Sequence, residues 1–149
     1  SESRLEKAKE LGATHIINSG KEDPVKAIRA IVPDGVDVTF EVAGVTQTYI
    51  QSIDATRARG TMVIVSIFAR PIEWNPLHLT NTGVKITSSI AYSPTSFQQT
   101  VDLMGTGQLK PQGIITSQIE LDDIVEKGFE ALTTDKSQSK ILVKLSGEK

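Results

Sequence analysis

Gly35-Val36-Asp37-Val38-Thr39-Phe40-Glu41-Val42-Ala43-Gly44 is the stretch that decides the fold class. Residues 36–42 read as a strand: β-branched and aromatic residues alternate with polar ones, and the run stops at Ala43-Gly44. Val36, Val38, Phe40 and Val42 share one face, while Asp37, Thr39 and Glu41 share the other. A parallel strand covered on both faces is normally apolar throughout, so polar groups must meet this second face. Glu41 is expected to accept hydrogen bonds from neighbouring loop amides and hold the sheet edge together. Ligand contact or acid/base work is the alternative, although no partner for catalysis is evident nearby.

Outward from this strand, helix and strand patterns alternate, which predicts an α/β fold with a doubly wound parallel sheet. Residues 61–68 are the most apolar strand and should be central. Between the two strands a helix starts at Thr46 and ends near Gly60; residues 69–83 read as a loop and residues 84–92 as a further strand. On the upstream side, Asp23-Pro24 opens a helix with the apolar stripe Val25, Ile28, Ile31 and Val32. Before it, His15-Ile16-Ile17 is a short strand, and Ser3 to Glu6 forms a capping box for a helix that stops at Gly12. Downstream, a helix opens at Pro94 and closes at Gly105, residues 114–119 are extended, a helix starts at Asp122 or Asp123, and residues 140–145 are the closing strand. A doubly wound fold should begin with a strand, a glycine-rich turn, a helix and a second strand, so the chain is expected to lack that first unit.

Composition narrows the function classes. The chain has 149 residues with 38% hydrophobic and 23% charged, which suits a globular domain spanning 1–149. A net charge of −2 with no basic cluster argues against nucleic acid. No apolar run is long enough to span a membrane, and the polar Ser1-Glu2-Ser3-Arg4 start has no apolar leader core, so a cytoplasmic location is expected. There is no cysteine, and His15 and His78 are the only histidines, which predicts no metal site in this chain. Ser88 and Ser89 lack a nucleophile-elbow context.

Ligands of open parallel sheets bind beyond the carboxyl ends of the strands. The candidates are therefore Val42-Ala43-Gly44 and Val65-Ser66-Ile67, where small residues let a flat ring approach the backbone; plain turns are the alternative. No G-x-G-x-x-G occurs, and Gly105-Thr106-Gly107 follows a helix, so it reads as a helix-end loop. Arg4 alone reads as a surface arginine. The 84–90 segment covers only one face well, through Val84 and Ile86, and reads as an edge strand open to pairing or protected by Lys85.

Several blocks resemble the zinc-type medium-chain alcohol/polyol dehydrogenase family. Arg4-Leu5-Glu6-Lys7-Ala8-Lys9-Glu10-Leu11-Gly12-Ala13 is similar to the helix after its second nucleotide-binding strand. Residues 35–44 and 61–67 are similar to its fourth and fifth strands, and Leu121-Asp122-Asp123-Ile124 with residues 137–145 to its C-terminal helix and strand. Asp135-Lys136-Ser137-Gln138-Ser139-Lys140-Ile141-Leu142-Val143 looks most like the (R,R)-2,3-butanediol dehydrogenase branch.

The resemblance implies a Rossmann-type domain that binds NAD, with about 113–149 as a tail returning to a catalytic domain. It implies Arg4 at the adenosine ribose, Val42, Ala43 and Gly44 along the cofactor, Val65, Ser66 and Ile67 at the nicotinamide, and Ser89, Ile90 and Ala91 at its carboxamide. Ser139 and Lys140 are the candidates near the pyrophosphate. Zinc ligands and the proton relay would lie upstream, so zinc belongs to the parent enzyme only and no residue here is catalytic. A small alcohol or diol substrate and a homodimer through strand 84–90 are further implications. The chain by itself is expected to be inactive and to bind NAD weakly or not at all. The competing expectations are an NADPH-dependent, zinc-free quinone or enoyl reductase of the same superfamily, and a non-catalytic Rossmann-like binding module.

Overall fold

The structure, a computed structural model, describes residues 1–145. In chain order its elements are α1 (Glu2–Glu10), α2 (Pro24–Ile31), β1 (Val36–Glu41), α3 (Thr46–Ala55), β2 (Thr56–Ile64), α4 (Leu77–Thr82), β3 (Lys85–Ser88), α5 (Pro94–Gly105), β4 (Ile115–Glu120), α6 (Ala131–Thr134) and β5 (Lys140–Lys144). The expected mixed α/β architecture with parallel strands is observed. The chain forms two compact units: Ser19–Ala91, and Ser1–Asn18 together with the described residues from Tyr92 onward.

In the first of these, β1, β2 and β3 form a three-stranded parallel sheet with β2 in the middle, as its apolar composition predicted. Glu41 pairs with Ile64, and Ile64 with Ser88, so the three strands end in one row. Paired residues of a parallel ladder face the same side. Thr39, Glu41, Met62, Ile64 and Ile86 therefore lie on the face that packs against α3, where Ile53 and Met62 are fully buried and Tyr49 and Val84 nearly so. The Tyr49 ring meets Trp74 and Phe68 edge-on, with centroids 5.2 and 6.1 Å apart.

The polar face of β1 is the covered one at Thr39 and Glu41, while Asp37 near the start of the strand stays exposed. Thr39 Oγ1 lies 2.8 Å from Thr56 Oγ1 and donates to the Ser52 carbonyl at 3.2 Å, and Asp37 pairs with the Arg57 guanidinium at 2.6 Å. The apolar face is open, with Phe40 65% and Val42 67% exposed. The sequence expectation that polar groups satisfy the second face holds: α3 supplies the Ser52 carbonyl and the Thr48 hydroxyl, and β2 supplies Thr56 and Arg57.

Local chemistry sets several boundaries. Asp23 caps α2 by accepting from the Val25 and Lys26 amides, as expected. α1 stops at a left-handed Gly12 (φ +109), with the Gly12 amide on the Lys9 carbonyl and the Ala13 amide on the Ala8 carbonyl, the double bond of a Schellman end.

Other expectations are corrected. The Ser3–Glu6 capping box does not form, because the N-cap is Ser1 and the helix starts at Glu2, two residues earlier than the box requires, which puts Ser3 inside the helix. Residues 15–17 are not a strand, since none of the described strands lies beside them to complete a ladder. The helix from Thr46 ends at Ala55 rather than near Gly60: the Thr56 hydroxyl bonds back to the Ser52 carbonyl, the backbone turns extended and Thr56 pairs with Val36. The central strand is thus Thr56–Ile64 and not 61–68, and it stops where the Val65 and Ser66 amides both turn to the Glu41 carbonyl. The 69–83 loop contains α4, started by Asn75 accepting from the Leu77 amide. The strand expected over 84–92 covers Lys85–Ser88; the Ser89 amide makes a last bond to the Ile64 carbonyl, and Ala91 has a positive φ of 55.

In the other unit β4 and β5 pair in parallel. The helix expected from Asp122 or Asp123 is a succession of a 3-10 turn (Leu121–Asp123), a π-helical segment (Ile124–Glu130) and α6. Gly128 is buried within it, and a Cβ there would stand 3.4 Å from the Ile119 side chain, so the widened turn brings backbone close to β4.

This packing predicts that Ile53→Ala costs about 2–5 kcal/mol in urea unfolding, while Ile67→Ala changes stability by less than about 0.5 kcal/mol. Ile53 is fully buried and Ile67 is 85% exposed. Equal losses for the two would contradict this location of the core.

Candidate functional site

Because Glu41, Ile64 and Ser88 end in one row, the segments that follow them leave the sheet side by side. Nine of the twelve candidate residues lie there: Val42, Ala43 and Gly44 after β1, Val65, Ser66 and Ile67 after β2, and Ser89, Ile90 and Ala91 after β3. Val42, Val65, Ile67 and Ile90 all expose branched apolar side chains at this edge. Arg4 belongs to the other unit, on the first turn of α1, where its guanidinium donates to the Gln138 carbonyl at 3.4 Å. The amides of Ser139 and Lys140 donate to Thr116 Oγ1 at 3.2 and 3.3 Å, so Arg4 touches the same turn that carries these two candidates.

Glu41 organises the strand ends. It is 1% exposed. Its Oε1 accepts from the Ala43 amide at 2.9 Å, the Gly44 amide at 2.8 Å and the Thr48 hydroxyl at 2.6 Å, and its Oε2 accepts from the Ser66 hydroxyl in a short contact. Burial pushes the carboxyl upward, but the bonds from Ser66, Thr48, Gly44 and Ala43 together outweigh it and hold the group below the usual value of 4.5. The amide-binding role expected from sequence is observed. Thr48 and Ser66 were not read as its partners. Thr48, in the first turn of the following helix, was within reach of a sequence argument; the Ser66 contact depends on strand register and was not.

Gly44 shows why this turn requires glycine. Its φ is +73, and a Cβ would lie 2.6 Å from the Ile67 carbonyl oxygen. The turn after β1 and the end of β2 are therefore in contact through backbone atoms. Two concavities adjoin the turn. A groove of about 620 Å³ runs along the free edge of β1, lined by Val25, Ile28, Val38, Phe40 and Val42 among others. A smaller one of about 390 Å³ lies between Gly44, Val45 and Thr46 and the 69–72 segment.

The strand ends combine an exposed apolar platform of Val42, Val65, Ile67 and Ile90 with a turn braced by Glu41 and packed through Gly44 against the Ile67 carbonyl. Zinc does not fit the residues present. His78 sits 3.3 Å from Asp54, His15 lies beside Thr14, and among the described residues no group of three or more His, Asp or Glu is arranged to hold a metal ion. Among the same residues, no helix is long and apolar enough to cross a membrane.

Comparison with known proteins agrees with this architecture. The family described as zinc-binding dehydrogenase matches residues 1–106. An (R,R)-butanediol dehydrogenase of Bacillus subtilis (strain 168) is 38% identical over 141 residues, which are 95% of this chain and 40% of that relative's length. The crystal structure of 2R,3R-butanediol dehydrogenase from Bacillus subtilis superposes with a TM-score of 0.88 at 38% identity, covering 98% of this chain and 42% of that one. A structure from Sinorhizobium meliloti 1021, titled as a zinc-binding dehydrogenase bound to NADP, has a TM-score of 0.84 at 28% identity, covering 97% of this chain and 43% of that one.

The Glu41 network predicts a pH signature. The folded carboxyl titrates below its unfolded value, so its stabilisation is present above that unfolded value and disappears as pH falls through the folded one. Urea unfolding should find Glu41→Gln about 1–3 kcal/mol less stable than wild type at pH 7, with the gap narrowing below about pH 4. A gap that stays constant down to pH 3 would contradict the assignment.

Proposed function

The chain belongs to the zinc-binding dehydrogenase family, and from that premise we propose that it is the part of an NAD-dependent alcohol or diol dehydrogenase that holds the nicotinamide cofactor. The observation carrying this reading is the row of strand ends braced by Glu41, with Gly44 against the Ile67 carbonyl and an exposed apolar platform beside them. Val42, Val65, Ile67 and Ile90 offer flat apolar contact to a nicotinamide ring, and the backbone of Ser89, Ile90 and Ala91 offers donors and acceptors to its carboxamide. Ala43 and Gly44 would lie along the cofactor, with Gly44 itself packed against the Ile67 carbonyl, and Arg4 is the residue proposed for the adenosine ribose. When bound, the cofactor accepts the hydride taken from the alcohol carbon; the chain's own residues position it.

A small alcohol or diol, with 2,3-butanediol as the probe, is the proposed substrate, on the strength of the name of the Bacillus subtilis relative. Because the residues here do not suit zinc, the metal and the alcohol would be held by other residues of the protein, and the stretch from about 113 onward, of which 146–149 lie outside the described residues, would return toward them. The outer edge of β3, which pairs with no other strand among the described residues, supports a homodimer in which that strand meets its two-fold mate. The site of action proposed is the cytoplasm. An NADPH-dependent, zinc-free quinone or enoyl reductase is the second reading; the NADP bound to the Sinorhizobium meliloti neighbour supports its choice of cofactor, while that neighbour's name as a zinc-binding dehydrogenase does not support the absence of zinc.

The protein as its gene encodes it, supplied with zinc, should reduce NAD in the presence of 2,3-butanediol. The 149-residue chain alone should give only the blank rate and bind NADH weakly or not at all. Turnover confined to NADPH and a quinone without zinc would overturn the dehydrogenase reading. Turnover by the 149-residue chain alone would overturn the division of labour.

A further inference from the structure

We infer that Glu41 and Ser66 form a positioning latch that sets the spacing between the two strand-end turns flanking the cofactor, an inference that rests on the dinucleotide reading above. One carboxylate oxygen holds the turn after β1 through the Ala43 and Gly44 amides and the start of α3 through Thr48. The other holds the end of β2 through the Ser66 hydroxyl. The Glu41 backbone carbonyl also accepts from the Val65 amide at 2.9 Å and the Ser66 amide at 3.3 Å, so side chain and backbone of one residue grip both turns.

The two turns also touch directly, since a Cβ on Gly44 would collide with the Ile67 carbonyl. A shift of one turn is therefore transmitted to the other. The residues that such a shift displaces are Val42, Val65 and Ile67, which bear the exposed apolar platform. Glu41 itself is buried and already accepts three hydrogen bonds at Oε1 and one at Oε2, so it acts on a ligand through these neighbours and not by contact. Ser66 is the removable pin: deleting its hydroxyl frees Oε2 but leaves the amide bonds to Oε1 in place.

The test measures dissociation constants for NADH and NADPH by fluorescence titration of the protein as its gene encodes it, with melting temperatures alongside. Ser66→Ala should weaken the dinucleotide that wild type binds by roughly tenfold while shifting the melting temperature by only a few degrees. Ser66→Thr, which keeps a hydroxyl, should restore affinity to within about twofold, and Ser66→Ala added to Glu41→Gln should weaken it no further than Glu41→Gln alone, as expected for one coupled unit. If Glu41→Gln does not fold, the Ser66→Ala and Ser66→Thr pair carries the test. A lowered melting temperature with unchanged affinity in Ser66→Ala would overturn the latch and leave a structural hydrogen bond. Failure of wild type to bind either dinucleotide would overturn the cofactor reading, and the latch with it.

Discussion

A carboxylate removed from water must be surrounded by donors, and the region around Glu41 is arranged to meet that demand. The turn after β1 bends so that the Ala43 and Gly44 amides face back toward the side chain. α3 begins with Thr48 in reach, and β2 ends with Ser66 turned inward. These contacts fix where two of the three strands stop and which way their following segments leave the sheet. The apolar platform at the carboxyl edge is a consequence, because Val42, Val65 and Ile67 flank residues whose polar groups already point inward.

Much of this was legible in the sequence because it is local. The alternation along residues 36–42 showed a polar face needing partners, and the Ala43-Gly44 break showed where a turn would supply amides. What failed depends on neighbours distant in sequence. His15-Ile16-Ile17 has strand-like residues but none of the described strands beside it, and a strand is defined by its ladder. Thr56 looks helical by its position after Thr46–Ala55, yet its hydroxyl and the waiting Val36 draw it into the sheet. The Ser66–Glu41 contact crosses 25 residues and follows only from parallel register. That Ser66 follows a strand end was legible by position, while its hydroxyl direction was invisible.

The family relation and the site geometry address different scales. Similarity to dehydrogenases places the fold among Rossmann-containing enzymes and covers 40% of the length of the Bacillus subtilis relative. The geometry concerns a handful of groups at one sheet edge. Under the proposed function the two combine as a division of labour, in which this chain would supply a rigid, shaped surface for a cofactor that carries the redox chemistry. Buried polar groups of this kind stabilise little in net terms once desolvation is counted, and their value lies in holding turns in one arrangement.

Amide hydrogen exchange at Ala43 and Gly44 tests that claim most directly, since both amides lie in a turn at the surface and owe their protection to Glu41. At neutral pH they should exchange at least about a hundredfold more slowly than in an unfolded peptide of the same sequence, and Glu41→Ala should remove that protection while leaving the amides paired between β1 and β2 slow. Exchange at unfolded-peptide rates in the wild-type chain, or protection that survives Glu41→Ala, would contradict the account.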